Sequence, residues 1–151
     1  MTKTFREQVI GTWSLLEYTR EDLQGERYYP LGEDATGYLM YTPDGYMSAT
    51  LSRSNREALA YSSTGDLHTG TAKEMAQAAN SYHAYSGRFE VDEATQTLYH
   101  HMEMSLVPNR IGQVQDRRLQ IEGNEITITS KSTSSFIRWR RADDHTDNLR
   151  H

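Results

Sequence analysis

The stretch GYLMYTPDGYMSATLS, residues 37–52, decides the fold class. Its centre is Thr42-Pro43-Asp44-Gly45. This has the chemistry of a tight turn, because proline suits the second position of a type I turn and glycine suits the left-handed position that follows. On both sides of the turn, strand-forming residues alternate between more apolar and more polar side chains. The stretch therefore predicts an antiparallel β-hairpin.

The turn also determines which side chains share a face of the hairpin. If Thr42 lies opposite Tyr46, strand alternation divides the remaining residues into two sets. The more apolar set consists of Gly37, Leu39, Tyr41, Met47, Ala49 and Leu51. We expect this set to face the interior. A slip of one residue would reverse every assignment.

Seven further segments have the composition and the flanking turn signals of strands. They are residues 12–20, 26–29, 84–91, 97–106, 114–121, 125–130 and 134–140. Two helices are predicted, over residues 4–10 and over about 10–12 residues that start at the capping box Thr71-Ala72-Lys73-Glu74. Short strands with regular turns predict an all-β protein, either a sandwich or an antiparallel barrel, with one inserted helix.

Composition limits the class of protein. A chain of 151 residues predicts one domain, assigned to residues 1–141, and a polar tail over residues 142–151 that we expect to be disordered. The lack of cysteine excludes disulfides, thiolate metal sites and cysteine nucleophiles. The net charge of −5 disfavours a nucleic-acid partner. No apolar run of about 18 residues and no apolar leader are visible, so we expect a cytoplasmic protein without a membrane partner.

Several motifs together resemble a known family. Gly11-Thr12-Trp13 is similar to the Gly-x-Trp signature of lipocalins, and Trp139-Arg140 resembles the basic residue that closes their barrel against that tryptophan. Residues 30–48 look like the hallmark of the bacterial and fungal lipocalin-like domain family. Later parts of the same pattern are matched by residues 84–90, His101-Met102-Glu103-Met104-Ser105, Pro108-Asn109 and Gly112. The resemblance covers roughly residues 9–141.

This resemblance implies an antiparallel up-and-down β-barrel of about eight strands, whose interior is filled by side chains or holds one small ligand. Members of the family are broadly described as ligand binders, and similar small barrels act as cyclases or isomerases in natural-product pathways. The sequence departs from secreted lipocalins because it has no disulfide and no evident signal, and because its helix lies in mid-chain. A secreted transport role is therefore not expected.

The best chemical pair lies on the strand predicted over residues 97–106. His101 and Glu103 are two residues apart and share a face, and Arg117 is expected to point inward from a neighbouring strand. If that face is internal, Glu103 orients His101 as a general acid or base, and Arg117 stabilises negative charge. A buried Glu–Arg pair that only closes the barrel is an alternative. Hydropathy instead favours an inward face made of Leu98, His100, Met102, Met104 and Leu106.

A small-molecule pocket needs an apolar wall and a few polar groups. The candidate ligand-binding residues are Trp13, Leu39, Tyr41, Met47, Tyr85, Tyr99 and Arg117. The tyrosines supply ring walls and hydroxyls, and Arg117 supplies a polar anchor; ordinary strand packing explains the tyrosines and methionines equally well. No metal site is predicted, because the adjacent His100 and His101 point to opposite faces of a strand.

Three functions remain open. The first is a non-catalytic binder of one small, largely apolar or amphipathic molecule. The second is a cofactor-independent isomerase or cyclase that acts on a polyketide- or terpenoid-like substrate in the same cavity. The third is a filled barrel that serves as a protein-interaction module. No cofactor is expected, a homodimer through an exposed strand edge stays open, and the loop over residues 53–70 is either a lid or a simple insertion.

Overall fold

The hairpin predicted from residues 37–52 is present, and the rest of the sheet extends from it. The computed structural model describes residues 2–59, 70–130 and 133–146. In chain order its elements are α1 (Phe5–Val9), β1 (Gly11–Glu21), β2 (Arg27–Tyr28), β3 (Thr36–Tyr41), β4 (Tyr46–Ser52), α2 (Ala72–Asn80), β5 (Tyr82–Asp92), β6 (Thr97–His101), β7 (Met104–Ser105), a 3-10 turn (Pro108–Arg110), β8 (Val114–Glu122), β9 (Glu125–Ser130) and β10 (Ser135–Arg141).

Strands β3 and β4 pair in the expected register. Leu39 lies opposite Ala49, and Tyr41 lies opposite Met47. These four side chains are all buried, whereas Tyr38 on the opposite face is exposed. The predicted register and inward face of the hairpin are therefore confirmed.

Eight strands close into an antiparallel barrel. Their order is β1-β3-β4-β5-β6-β8-β9-β10, and β10 pairs with β1 to complete the ring. The short strands β2 and β7 lie outside this ring, where they pair with β1 and β5. The sequence alone was compatible with either a sandwich or a barrel, and closure of the sheet shows that the protein is a barrel. This confirms the lipocalin-like fold class with one inserted helix.

The two helices have different roles. Helix α2 is inserted between β4 and β5 and begins with the predicted capping box, in which Thr71 and Glu74 exchange hydrogen bonds of 3.0 and 3.1 Å. Helix α1 covers one end of the barrel, because its Phe5 and Val9 are buried in the core. In the part of the chain that the structure describes, neither helix is long and apolar enough to cross a membrane.

Arg141 closes the covered end of the barrel. Its guanidinium lies 3.8 Å from the centroid of the Trp13 ring and donates hydrogen bonds to the carbonyls of Ile10 and Gln8, at 2.7 and 2.5 Å. This corrects the expectation for Arg140, whose side chain is exposed because it follows the buried Trp139 on the alternating strand. The basic residue that covers the tryptophan is thus one position later than predicted.

The glycine of the Gly-x-Trp motif makes room for this arginine. Gly11 has a φ of +123°, which L-residues with side chains rarely adopt, and a Cβ there would lie 2.6 Å from Nη1 of Arg141. Trp13 itself is fully buried, and its Nε1 donates to the carbonyl of Val9 at 2.9 Å. The motif therefore joins the first strand, the last strand and α1 at one end of the barrel.

The strand predicted over residues 97–106 is interrupted. It ends as β6 at His101, and β7 resumes at Met104 on a different part of β5. Hydropathy placed Met104 and Leu106 inside together with Met102, but only Met102 is buried, and the other two are exposed. The break explains this difference, because residues beyond it no longer follow the alternation of β6.

A bulge in β1 reverses its alternation. The register with β10 shifts between Leu15 and Glu17, so Leu15 lies opposite the buried Trp139, and Tyr18 lies opposite Ile137. As a result, Tyr18 and Arg20 face the interior beyond the bulge, although simple alternation from Trp13 places them outside. The bulge lies within the strand that closes the barrel. It brings two polar side chains to the end of the barrel opposite α1, which we call the open end.

Candidate functional site

A small cavity lies at the end of the barrel opposite α1. Its volume is about 30 Å³, roughly the room of one water molecule. Its lining consists of Tyr18, Arg20, Leu51, His83, Tyr85, Arg110, Arg117, Thr133, Ser135 and Ile137. Polar and cationic side chains dominate this lining. The barrel is therefore largely filled, and polar and cationic residues border a remaining space whose accessible surface is mainly apolar.

Three arginines, Arg20, Arg110 and Arg117, surround the cavity, and we call them the arginine cluster. Arg117 is 5% exposed. It donates to the carbonyl of Asp116 at 3.0 Å, to Oγ of Ser130 at 3.2 Å and to Oε1 of Gln115. Arg20 donates through Nε to the carbonyl of Thr133 at 3.0 Å.

The arginine cluster has no acidic partner within the described ranges. No carboxylate there lies within 4.0 Å of any of its guanidinium groups, and the hydrogen-bond acceptors of Arg117 are all uncharged. A buried cation costs free energy unless opposite charge or hydrogen bonds compensate it. The site is therefore electropositive and suited to bind a group that carries electron density.

His83 lies on the same wall and stays neutral near physiological pH. Burial, and after it the positive charges of the arginine cluster, lowers the pKa of His83 to about 4. Burial likewise raises the pKa of the Tyr18 hydroxyl, which also lines the cavity. Both groups are therefore uncharged hydrogen-bonding partners beside three permanent cations.

Beneath the cavity lies a buried pair of polar side chains. The hydroxyl oxygen of Tyr41 is 2.8 Å from Nε2 of His100, and the ring of Tyr85 lies 5.9 Å from that of His100 between centroids. Burial raises the pKa of Tyr41 well above its usual value and lowers the pKa of His100 well below its usual value, and the charge of Arg117 lowers the latter further. Nδ1 of His100 is buried without a hydrogen-bond partner among the described residues.

Two histidines, the buried His100 and the half-buried His83, predict a loss of stability in mild acid. His83 and His100 are neutral in the folded state, whereas unfolded histidine binds a proton below a pH of about 6.5. The unfolded state thus binds more protons, so the free energy of unfolding falls as the pH falls from 6.5 towards 4, by at most about 1.4 kcal/mol per pH unit for each histidine. Urea unfolding at several pH values measures this slope, and His83→Gln should reduce it. Equal slopes for both proteins would contradict the prediction.

The predicted catalytic cluster does not form. Arg117 points inward, as alternation along β8 predicted, but His101 and Glu103 lie on the outer side of the barrel. There His101 faces Glu90, with 3.5 Å between Nε2 and Oε2, and Glu103 accepts from Arg88 at 2.5 Å. The inward residue of this strand is His100, because β6 turns Leu98 and His100 towards the core.

The predicted ligand-binding residues occupy three different places. Tyr85 and Arg117 line the cavity. Tyr99 lies on the outer face of β6, which corrects its assignment to a ligand wall, because alternation from the buried His100 turns it outward. The remaining four are buried in the core below the cavity and do not line it, namely Trp13, Leu39, Tyr41 and Met47.

Sequence reasoning missed four cavity residues with charged or titratable side chains. His83 was within reach, because alternation along β5 from the buried Phe89 and Tyr85 places it inside. The inward orientation of Tyr18 and Arg20 depends on the β1 bulge, which no local sequence signal predicts. Arg110 comes from the 3-10 turn between β7 and β8, and alternation does not apply to a turn.

Two further predictions concern metals and the long loop. Within residues 2–59, 70–130 and 133–146, no three histidine, aspartate or glutamate side chains converge to hold a metal ion. The loop predicted over residues 53–70 falls mainly on residues 60–69, which lie outside the described residues, as do residues 147–151 of the predicted tail.

Comparisons with known proteins agree with the fold. A family profile described as a lipocalin-like domain matches residues 10–144. The chain is 36% identical over 87 residues to the 4'-hydroxy-3'-methoxypropiophenone carrier protein of Aspergillus oryzae, a match that covers 48% of this chain and 78% of that protein.

Solved structures are only loosely similar. An uncharacterized protein from Bacteroides eggerthii has a TM-score of 0.45 and 8% identity, over 89% of this chain and 99% of that chain. A lipoprotein from Klebsiella pneumoniae, YedD, has a TM-score of 0.43 and 11% identity, over 93% and 76% of the two chains.

Proposed function

The chain belongs to the lipocalin-like domain family, and we propose that it binds one small, largely apolar molecule at the open end of the barrel, with Arg117 as the polar anchor. The observation that carries this proposal is the burial of the Arg117 guanidinium at the cavity wall, where its hydrogen-bond partners among the described residues are all uncharged. A ligand oxygen beside this group would compensate its charge by a charge-assisted hydrogen bond.

The carrier relative supports the same class of ligand. Its name specifies an aryl ketone with a phenolic hydroxyl and a methoxy group, which is an apolar ring with a few oxygen acceptors. A molecule of this size needs more room than about 30 Å³. Binding therefore requires side chains at the open end to move, and long flexible arginines such as Arg20 and Arg110 are suited to do so.

Native mass spectrometry and direct titration test the proposal. After mild purification, a bound mass of a few hundred daltons is expected on the wild-type protein; 4'-hydroxy-3'-methoxypropiophenone serves as the titrated probe. Arg117→Met should weaken probe binding by about tenfold to a hundredfold, the usual effect of losing a hydrogen bond to a charged group. Arg118→Met is the matched control, because Arg118 is exposed on the outer face of the same strand.

The outcomes separate the alternatives. Replacement of a buried arginine by an apolar residue of similar length is often tolerated, and a thermal unfolding curve checks that Arg117→Met is folded. Equal binding by both variants would overturn the role of Arg117. No retained mass and no probe binding by the wild-type protein would instead favour a filled barrel that acts as a protein-interaction module.

A second candidate function is a cofactor-independent isomerase or cyclase that uses the same cavity. The observation that favours it is the buried Tyr41–His100 pair below the cavity, since a neutral imidazole and a protonated hydroxyl are groups that can transfer protons. His101 and Glu103 are not catalytic groups in this second candidate function, because their side chains lie on the outer side of the barrel. Recovery of the bound molecule distinguishes the two functions, because a binder releases it unchanged and an enzyme releases a product.

A further inference from the structure

We infer that the open end of the barrel recognises an acidic group of the ligand, such as a carboxylate or sulfonate, through the joint charge of Arg20, Arg110 and Arg117. This inference rests on the proposed binding function and specifies the chemical class of ligand that the site prefers. It concerns the whole arginine cluster rather than the single anchor Arg117.

The positive charge at this end is local and not a property of the whole protein. The chain carries a net charge of −5, yet the cavity lining, as far as the described residues form it, contains three arginines and no acidic residue. Two arginines elsewhere lie beside carboxylates. Arg88 pairs with Glu103 at 2.5 Å. Arg138 lies within 4.0 Å of two carboxylates, those of Glu17 and Glu125. The described lining of this one cavity thus brings together three cations without a neighbouring carboxylate, in a chain that is acidic overall.

The arginine cluster keeps hydrogen-bonding capacity for a ligand. A guanidinium group has five N–H donors. Towards acceptors on described residues, Arg20 uses only Nε, and the Arg110 guanidinium makes no hydrogen bond to any of them. Their terminal N–H pairs can donate two parallel hydrogen bonds to two oxygens of an acid group. A single carbonyl oxygen cannot accept hydrogen bonds in this paired geometry.

The charges of the three arginines all act on the imidazole of His83, so the pKa of His83 is sensitive to the charge at this site. The lining places His83 with Arg20, Arg110 and Arg117, and its imidazole feels the charge of each of them. Burial raises the pKa of the Tyr18 hydroxyl, so this residue of the wall supplies no compensating negative charge near neutral pH. An anion held here would lie close to all three guanidinium groups at once, and it would also raise the pKa of His83.

A pair of fluorescent probes with one skeleton tests the inference. Anilinonaphthalene sulfonate carries an acidic group, and N-phenylnaphthylamine has the same aromatic skeleton without it. We expect the wild-type protein to bind the sulfonate at least about tenfold more tightly, and we expect added salt to weaken only this probe. Arg20→Gln and Arg110→Gln should each reduce this preference severalfold, whereas Arg118→Gln on the outer face should not change it.

A second readout locates the bound charge. In an NMR titration, the sulfonate should raise the pKa of His83 from about 4 towards its ordinary value, and N-phenylnaphthylamine should not. Equal affinity for the two probes, or an unchanged preference in both arginine variants, would overturn the inference while leaving small-molecule binding in place. Failure to bind either probe would overturn both the inference and the proposed function.

Discussion

Gly87→Ala is expected to lower the free energy of unfolding by about 3–4 kcal/mol, beyond the usual cost of overpacking a core. A Cβ at this position would lie 1.9 Å from the carbonyl oxygen of His101 and 3.1 Å from the backbone nitrogen of Glu103. That backbone is held in place, because Glu103 donates its N–H to the carbonyl of Ser86 at 3.1 Å. Chemical denaturation followed by circular dichroism measures the loss.

Gly123→Ala is the matched control for this substitution. Gly123 has a φ of +61° and no heavy atom within 4 Å of the added Cβ, so only backbone strain of about 1 kcal/mol is expected. The difference between the two variants isolates the collision at Gly87. Similar losses in both would show that the crossing of β5 by residues 101–103 is loosely packed.

Arg141→Met is expected to destabilise the barrel by about 2–3 kcal/mol. The substitution removes two charged hydrogen bonds to the carbonyls of Gln8 and Ile10, and it removes the cation over the Trp13 ring. It also leaves two partly buried carbonyl oxygens without a donor. Thermal and urea unfolding of the variant measure the effect.

Arg140→Met provides the comparison, because the neighbouring side chain is exposed and contacts neither Trp13 nor α1. A change within about 0.5 kcal/mol is expected for it. If Arg140→Met is as damaging as Arg141→Met, the stabilising interaction is the general positive charge of the last strand, and the specific contact with Trp13 has no special role.

The predictable parts of the fold are those strands in which a turn determines which side chains face inward and which face outward. Thr42-Pro43-Asp44-Gly45 determines the register of β3 and β4, and from that register the burial of Leu39, Tyr41 and Met47 follows. The inward direction of Arg117 follows in the same way from the alternation of β8. Closure of the sheet into a barrel was predicted from the resemblance to lipocalin-like domains, because the hairpin sequence alone does not distinguish a barrel from a sandwich.

The candidate site was less predictable because it depends on irregular backbone. The bulge between Leu15 and Glu17 turns Arg20 inward, and the break after His101 takes Met104 and Leu106 out of the alternation that buries His100 and Met102. Both irregularities arise from pairing with distant strands, so a local sequence pattern does not reveal them. Arg110 reaches the cavity from a turn, where no periodicity applies.

Pairing between β1 and β10 has a consequence for how the protein folds. It sets Trp13 opposite Arg141, so the contact that completes the ring joins residues separated by almost the whole domain. Such distant pairing raises the contact order and slows folding. Until the last strand is added, β1 and β9 are unpaired sheet edges that can recruit strands from other copies. We therefore expect slow refolding, and a chain truncated before β10 should aggregate rather than remain a stable open sheet.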